Sequence, residues 1–348
     1  MKVTQQACFR HSSGKEVFLF TLRNTNGTEV LISNYGAIIA AFKIKMNDGS
    51  VNDIVLGFDK MEDYTSKEYL ESYPWFGAAV GRHGNRIKNA AFSIDGKQYQ
   101  LSRNNGNNQL HGGVEGFDKK VWEVVAVGDE GVVFSYNSPD GEEGFPGNVT
   151  VTIKFILADN NELSHEYTAT TDQPTVVNLT HHSYFNLDNG ERTIEDYELK
   201  INASQILEQD AELAPTGNYT DVTGTKYDFR NGKMISKDWD YETGYDQSFI
   251  VKTKSPELIT GAEVFSPHSK LKLAILTTEP IVHFYTGKGI PTFKNAKNGN
   301  KYGSYSALCL ETQVHPNAVN IAHFPNTVLR PGETYFQKTV YKVTQEEK

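Results

Sequence analysis

The sequence predicts an all-β protein, one large antiparallel β-sandwich carrying a few short helices. Three observations predict it. Short runs of alternating apolar residues recur with turn residues between them, and no stretch keeps a helical period for long. Aromatic residues make up 11% of the chain, with 18 Tyr and 19 Phe, an enrichment that suits strands. The 348 residues exceed a minimal domain, yet no linker-like tract, low-complexity segment or fixed-period repeat divides them. A single domain over residues 1–348 is therefore the simplest organisation.

In chain order, strands are expected over 17–23, 29–44, 121–127, 132–136, 149–157, 270–277, 281–285 and 334–343. Asp95-Gly96, between 91–94 and 99–101, signals a tight hairpin. Residues 61–71 and 204–212 read as short helical turns, and a strand over 247–251 follows Asp246.

Composition removes several classes. A net charge of -9 with no run of Lys and Arg lacks the positive field that nucleic acid requires. Cys8 and Cys309 are too far apart for a metal motif and make no disulfide framework, so a reducing compartment is expected. With no apolar run of signal-peptide or membrane-spanning length, the expected location is the cytoplasm, away from membranes. Phosphate-loop, zinc-helix, nucleophile-elbow and dinucleotide fingerprints are all missing.

Four polar clusters break the apolar pattern: Asn85-Arg86, His111-Gly112-Gly113, the segment from Asn178 to Asn186, and Leu310 to Gln313. If the third is extended, Leu179, His181, Ser183 and Phe185 share one face, and Asn178, Thr180, His182, Tyr184 and Asn186 the other. The polar face points to a cleft or to solvent. It carries His182, and His181 faces away. Parity favours His182 as functional; the alternative is two ordinary hydrogen-bonded histidines. Glu311 ends the apolar run 306–310 and shares a face with Ala307 and Cys309, either solvated or held in a cleft. Alone, Asp246 reads as a turn aspartate, and Glu142-Glu143-Gly144-Phe145-Pro146-Gly147 as a solvated acidic loop.

Together with Asn34-Tyr35-Gly36-Ala37, Gly81-Arg82-His83-Gly84-Asn85-Arg86-Ile87, Pro215-Thr216-Gly217, Gly244-Tyr245-Asp246 and Arg330-Pro331-Gly332-Glu333-Thr334, these clusters resemble the aldose 1-epimerase (galactose mutarotase) family in order and spacing. The likeness spans nearly the whole chain. It implies a mutarotase-like supersandwich with the sugar in an open cleft on one sheet. It implies no cofactor and no metal, a free monosaccharide such as galactose or glucose as partner, and a monomer or homodimer. It also implies roles: Glu311 as general base, His182 as general acid, His111 near the ring oxygen, and Arg86, Asp246 and Asn85 positioning the sugar. Three positions depart from the family pattern. His83-Gly84 replaces a small apolar pair, His181 stands for an Asn, and Gln247 stands where a His commonly follows the aspartate, a change expected to bear on sugar preference.

These residue types suit anomer exchange. A base takes the C1 hydroxyl proton while an acid protonates the ring oxygen; the C1–C2 bond turns and the ring recloses. Histidine ionises near neutral pH, and Asp246 or Glu311 is expected to raise the pKa of His182. Rival readings are a hexose-6-phosphate 1-epimerase using Arg82, Arg86 and Lys88, a glycoside hydrolase pairing Asp246 with Glu311, and a non-catalytic sugar-binding module.

Overall fold

The computed structural model describes residues 2–129 and 131–346. Alternation makes its strands. In Val149–Leu157 the residues Val149, Val151, Ile153, Phe155 and Leu157 point inward, and the residues between them face outward. The segment pairs register for register with Glu162–Thr171, from Val149 opposite Thr171 to Leu157 opposite Leu163. Full burial of a large apolar side chain is worth about 1.5–3 kcal/mol, so each such strand has one stable orientation.

Three main sheets result, and the ladders between neighbouring strands are antiparallel. A nine-stranded sheet runs in the order Glu123–Gly128, Gly131–Ser138, Val149–Leu157, Glu162–Thr171, Tyr335–Gln345, Leu271–Thr277, Ile259–Phe265, Glu198–Ile201, Lys233–Met234. Tyr335–Gln345 thus lies at its middle, although it is last in sequence. A five-stranded sheet holds Lys2–Arg10 to Val51–Asp53 in sequence order. A second five-stranded sheet runs Pro215–Asp221, Gln205–Gln209, Asp246–Ile250, Ile281–Tyr285, Cys309–Gln313. One core joins all three, with Phe20 from the first five-stranded sheet, Phe134, Phe155 and Tyr341 from the nine-stranded one, and Phe284 and Leu310 from the second. The fold is the expected all-β sandwich. No helix among the described residues is long and apolar enough to cross a membrane.

The hairpin forms as expected, with Asp95 at φ 52 and Gly96 at φ 79 between Ala91–Ile94 and Lys97–Gln100. Residues 61–71 form a 3-10 turn, Met61–Thr65, and one α turn, Lys67–Glu71. Other expectations need correction. The run 29–44 is two strands, Glu29–Ser33 and Ile39–Lys45, because Gly36 and Ala37 take φ of 60 and 47 between them. Residues 204–212 are not helical. Gln205–Gln209 is a strand paired on both sides, and Ile206 and Leu207 are both buried. Nor are Glu142 and Glu143 merely solvated. Glu142 accepts from Tyr136 Oη at 2.6 Å and pairs with Lys120 at 3.2 Å. Glu143 accepts from the N–H groups of Val114 at 3.0 Å and Glu115 at 2.9 Å, clasping the loop that follows His111.

Candidate active site

The second five-stranded sheet sets one side of the site. Its pairing puts Ser248 opposite His283 and His283 opposite Glu311, with Asp246 two residues from Ser248 on the same face. The segment carrying His182 supplies the next wall, because Thr180–His181 pairs with Ala79–Val80 and Phe185 bridges to Leu308. Asn85 and Arg86 lie at the start of the short strand Arg86–Ile87, which pairs with Gln109–Leu110 and so brings in His111. All six residues expected at the site line one cleft of about 210 Å³, together with Tyr73, Trp75, Tyr184, His283 and Tyr285.

Glu311 and His182 face each other, with Nε2 to Oε1 at 3.6 Å. Glu311 is buried and sits within the strand Cys309–Gln313 rather than at its end. Its Oε2 has no hydrogen-bond partner. On the far side of His182, Nδ1 lies 3.5 Å from Cys309 Sγ. The rings of His111 and His182 are 5.1 Å apart, and Trp75 covers both, at 4.9 Å from His111 and near-parallel to His182 at 6.1 Å. Trp75, Asn85 and His111 all take positive φ, at 56, 59 and 52. Backbone strain of this kind, about 1–3 kcal/mol per residue, collects at sites whose side chains must be aimed. The turn after His111 needs glycine: a Cβ on Gly112, at φ +85, would lie 1.9 Å from the Gly81 carbonyl oxygen.

The hydrogen bonds fix proton positions. The Asn85 N–H donates to His111 Nδ1 at 3.2 Å, so the neutral His111 ring carries its proton on Nε2. Burial, then the positive neighbours His182 and Arg86, hold His111 well below the usual histidine range, so it is neutral at pH 7. Burial also lowers the pKa of His182, against an upward pull from Glu311. The expected rise is therefore corrected: desolvation outweighs the carboxylate. For Asp246 burial pushes upward, but the hydrogen bond from His283 and the charges around it leave the carboxyl below its usual range. Ligand-capable atoms of His111, His182 and Glu311 lie within 4.8 Å of one another, the one such grouping among the described residues. A cation there would compete with the Asn85 N–H for Nδ1 of His111, or displace the Nε2 proton.

Parity separated the two histidines as expected. His182 reaches the cleft, and His181 points into the core, bonded to the Ala37 carbonyl at 3.2 Å and Ser183 Oγ at 3.1 Å. Of the rest of that face, Tyr184 also lines the cleft, while Asn178, Thr180 and Asn186 are buried away from it. Asn178 ties to the backbone of Val314, and Asn186 to the carbonyls of Arg192 and Ser306, joining strands from within. The basic cluster nominated for a phosphate is dispersed. Arg82 is buried and donates to Ser138 Oγ at 2.8 Å and to the carbonyls of Pro139 at 2.7 Å and Pro146 at 2.9 Å. Lys88 pairs with Asp210 at 2.7 Å, and Arg86 alone of the three reaches the cleft. Gln247 turns to the opposite face and donates to the Leu207 carbonyl. The cleft residues missed in sequence include His283 and Trp75, with Tyr73 and Tyr285 beside them. The alternation of Ile281, His283 and Tyr285 within 281–285 was the available signal for the first; nothing marked the left-handed Trp75.

A β-sandwich bearing a small cleft lined by imidazoles, carboxylates and aromatic rings defines a class, the carbohydrate isomerases of this fold. The family model described as aldose 1-epimerase matches residues 19–342. The chain belongs to the aldose 1-epimerase family. It is 44% identical to galactose mutarotase of Bos taurus over 314 residues, covering 89% of this chain and 90% of the bovine one. It is 36% identical to aldose 1-epimerase of Escherichia coli K12 over 344 residues, covering 96% and 97%. Among solved structures, the GalM/aldose epimerase homologue from C. elegans superposes with a TM-score of 0.86 at 34% identity, covering 94% of this chain and 99% of that one.

Proposed function

We propose that the chain, as one domain over residues 1–348, interconverts the α and β anomers of free aldohexoses such as galactose and glucose in the cytoplasm, with Glu311 as base and His182 as acid. The observation that carries this reading is the buried Glu311–His182 pair, 3.6 Å apart in a sugar-sized cleft. The Glu311 carboxylate takes the proton of the C1 hydroxyl. His182 acts in its protonated form, which Glu311 favours and burial opposes; it gives its Nε2 proton to the ring oxygen, and the C1–O5 bond breaks to the open aldehyde. The C1–C2 bond turns. The same two groups then return the protons in reverse as the ring closes on the other face. His111, with its Nε2 proton held by the Asn85 contact, donates to the same region, while Arg86 and Asp246 hold remote hydroxyls.

The hydrolase reading is disfavoured because Asp246 is held ionised beside His283, where a glycosidase acid needs a raised pKa. The phosphate reading is disfavoured because Arg82 and Lys88 are engaged elsewhere. Polarimetry of freshly dissolved α-D-galactose and α-D-glucose tests the proposal. Faster relaxation to the same final rotation is expected, with no comparable gain for galactose 6-phosphate. No acceleration of either free sugar rejects it.

A further inference from the structure

We propose that His283 is a positioning residue, held between Ser248 and Asp246, that fixes the Asp246 carboxylate for the sugar and acts only through it. The inference rests on the reading of the cleft as a sugar site. In the antiparallel ladder His283 lies directly opposite Ser248 and diagonal to Asp246. Direct neighbours have Cβ atoms about 5 Å apart and diagonal ones about 7–8 Å, so one imidazole can span both. It does so: Nδ1 is 2.9 Å from Ser248 Oγ, and Nε2 is 2.8 Å from Asp246 Oδ1.

His283 and Ser248 are both buried, and both ring nitrogens of His283 are occupied. Although it lines the cleft, His283 therefore keeps no polar atom for a hydroxyl. Ionised Asp246 has no proton to donate, so Nε2 must carry the one it accepts. The Ser248 hydroxyl secures that tautomer by donating to Nδ1, or accepts from it if the ring is charged. Asp246 itself is half-buried at the cleft wall, where an unbraced carboxylate would turn freely. Its sequence neighbour Gln247 faces the other way and cannot brace it. The imidazole that serves the aspartate comes from the adjacent strand.

The test is a double-mutant cycle on the full chain, with kcat and KM for α-D-galactose measured in wild type, H283F, H283Q, D246N and H283F/D246N. Loss of a hydrogen bond to a charged group predicts a KM for H283F raised about tenfold, with kcat changed less than about threefold. H283Q recovers most of the KM, because its amide N–H still reaches Asp246. The double variant is no worse than D246N alone. S248A, which keeps the ring, gives a smaller rise, about threefold, and serves if H283F does not fold. An unchanged KM in H283F and S248A, or losses that multiply in the double variant, overturns the proposal. If the wild type fails to accelerate mutarotation, the anomerase reading falls instead. The same cycle is then read as galactose affinity by calorimetry, with the same expected ratios and the same outcomes against it.

Discussion

At the residue scale, function turns on which protons each side chain can hold. Glu311→Gln removes the carboxylate 3.6 Å from His182 Nε2, and His182→Asn removes the proposed acid. Each should lower kcat by about 10²- to 10⁴-fold with the melting temperature little changed, measured by polarimetry and calorimetry. A variant retaining near-normal turnover would break the assignment. These two residues, with Asn85, Arg86, His111 and Asp246, were legible in sequence because polar residues interrupt apolar alternation there, and because the family resemblance tied distant clusters together. Single-chain parity told His182 from His181. It could not show that Arg82 and Lys88 find partners elsewhere, since those contacts join positions 56 or more residues apart. Nor could it reveal the net effect of burial on His182, where desolvation and the pull of Glu311 oppose each other.

At the element scale, strands with one wet face were readable and doubly buried ones were not. Val149–Leu157 was found to the residue because Thr and Lys mark its outer face. Gln205–Gln209 was misread because Ile206 and Leu207 are buried side by side, which removes the period of two. The turn at Gly36 and Ala37 was also missed, because apolar residues flank it on both sides of a single glycine. Where glycine marks the turn, its necessity is testable. Gly112→Ala would drive a Cβ against the Gly81 carbonyl, displacing His111 and the chain around Arg82. The expected result is a melting temperature lower by several degrees and lost activity. Gly128→Ala, with nothing within 4 Å of its Cβ, should be near neutral. Equal behaviour of the two variants in thermal melts would contradict the packing argument.

At the scale of the whole molecule, the large core fixes how stability depends on pH. His83 and His315 are pushed down to about 4 and His181 to about 3 by burial, and His165 and His111 well below the usual range. The unfolded chain protonates these five near pH 6.5 and the folded one does not, so their contribution is present above 6.5 and lost as pH falls. Asp118 and Glu279 are pushed up by burial, to about 6 and about 7, and act in the opposite sense, stabilising at low pH and less as pH rises through those values. Five groups outweigh two. The melting temperature should therefore fall by about 5 °C from pH 7 to pH 5. His165→Phe, at a core position where neither ring nitrogen has a partner, should flatten that slope; an unaltered slope would reject the attribution. The fold class was legible at this scale. The order of the strands was not, because pairing such as that of Glu162–Thr171 with Tyr335–Gln345 joins segments far apart in the chain.

That same strand order has a consequence for biosynthesis. Tyr335–Gln345 is the wedge between Glu162–Thr171 and Leu271–Thr277, so the nine-stranded sheet remains in two pieces until the ribosome has read past residue 345. Until then each piece presents a raw edge, through which nascent chains pair with one another or are held by chaperones. The candidate cleft, whose lining runs from Tyr73 to Glu311, is likewise complete only late in translation rather than growing with the chain.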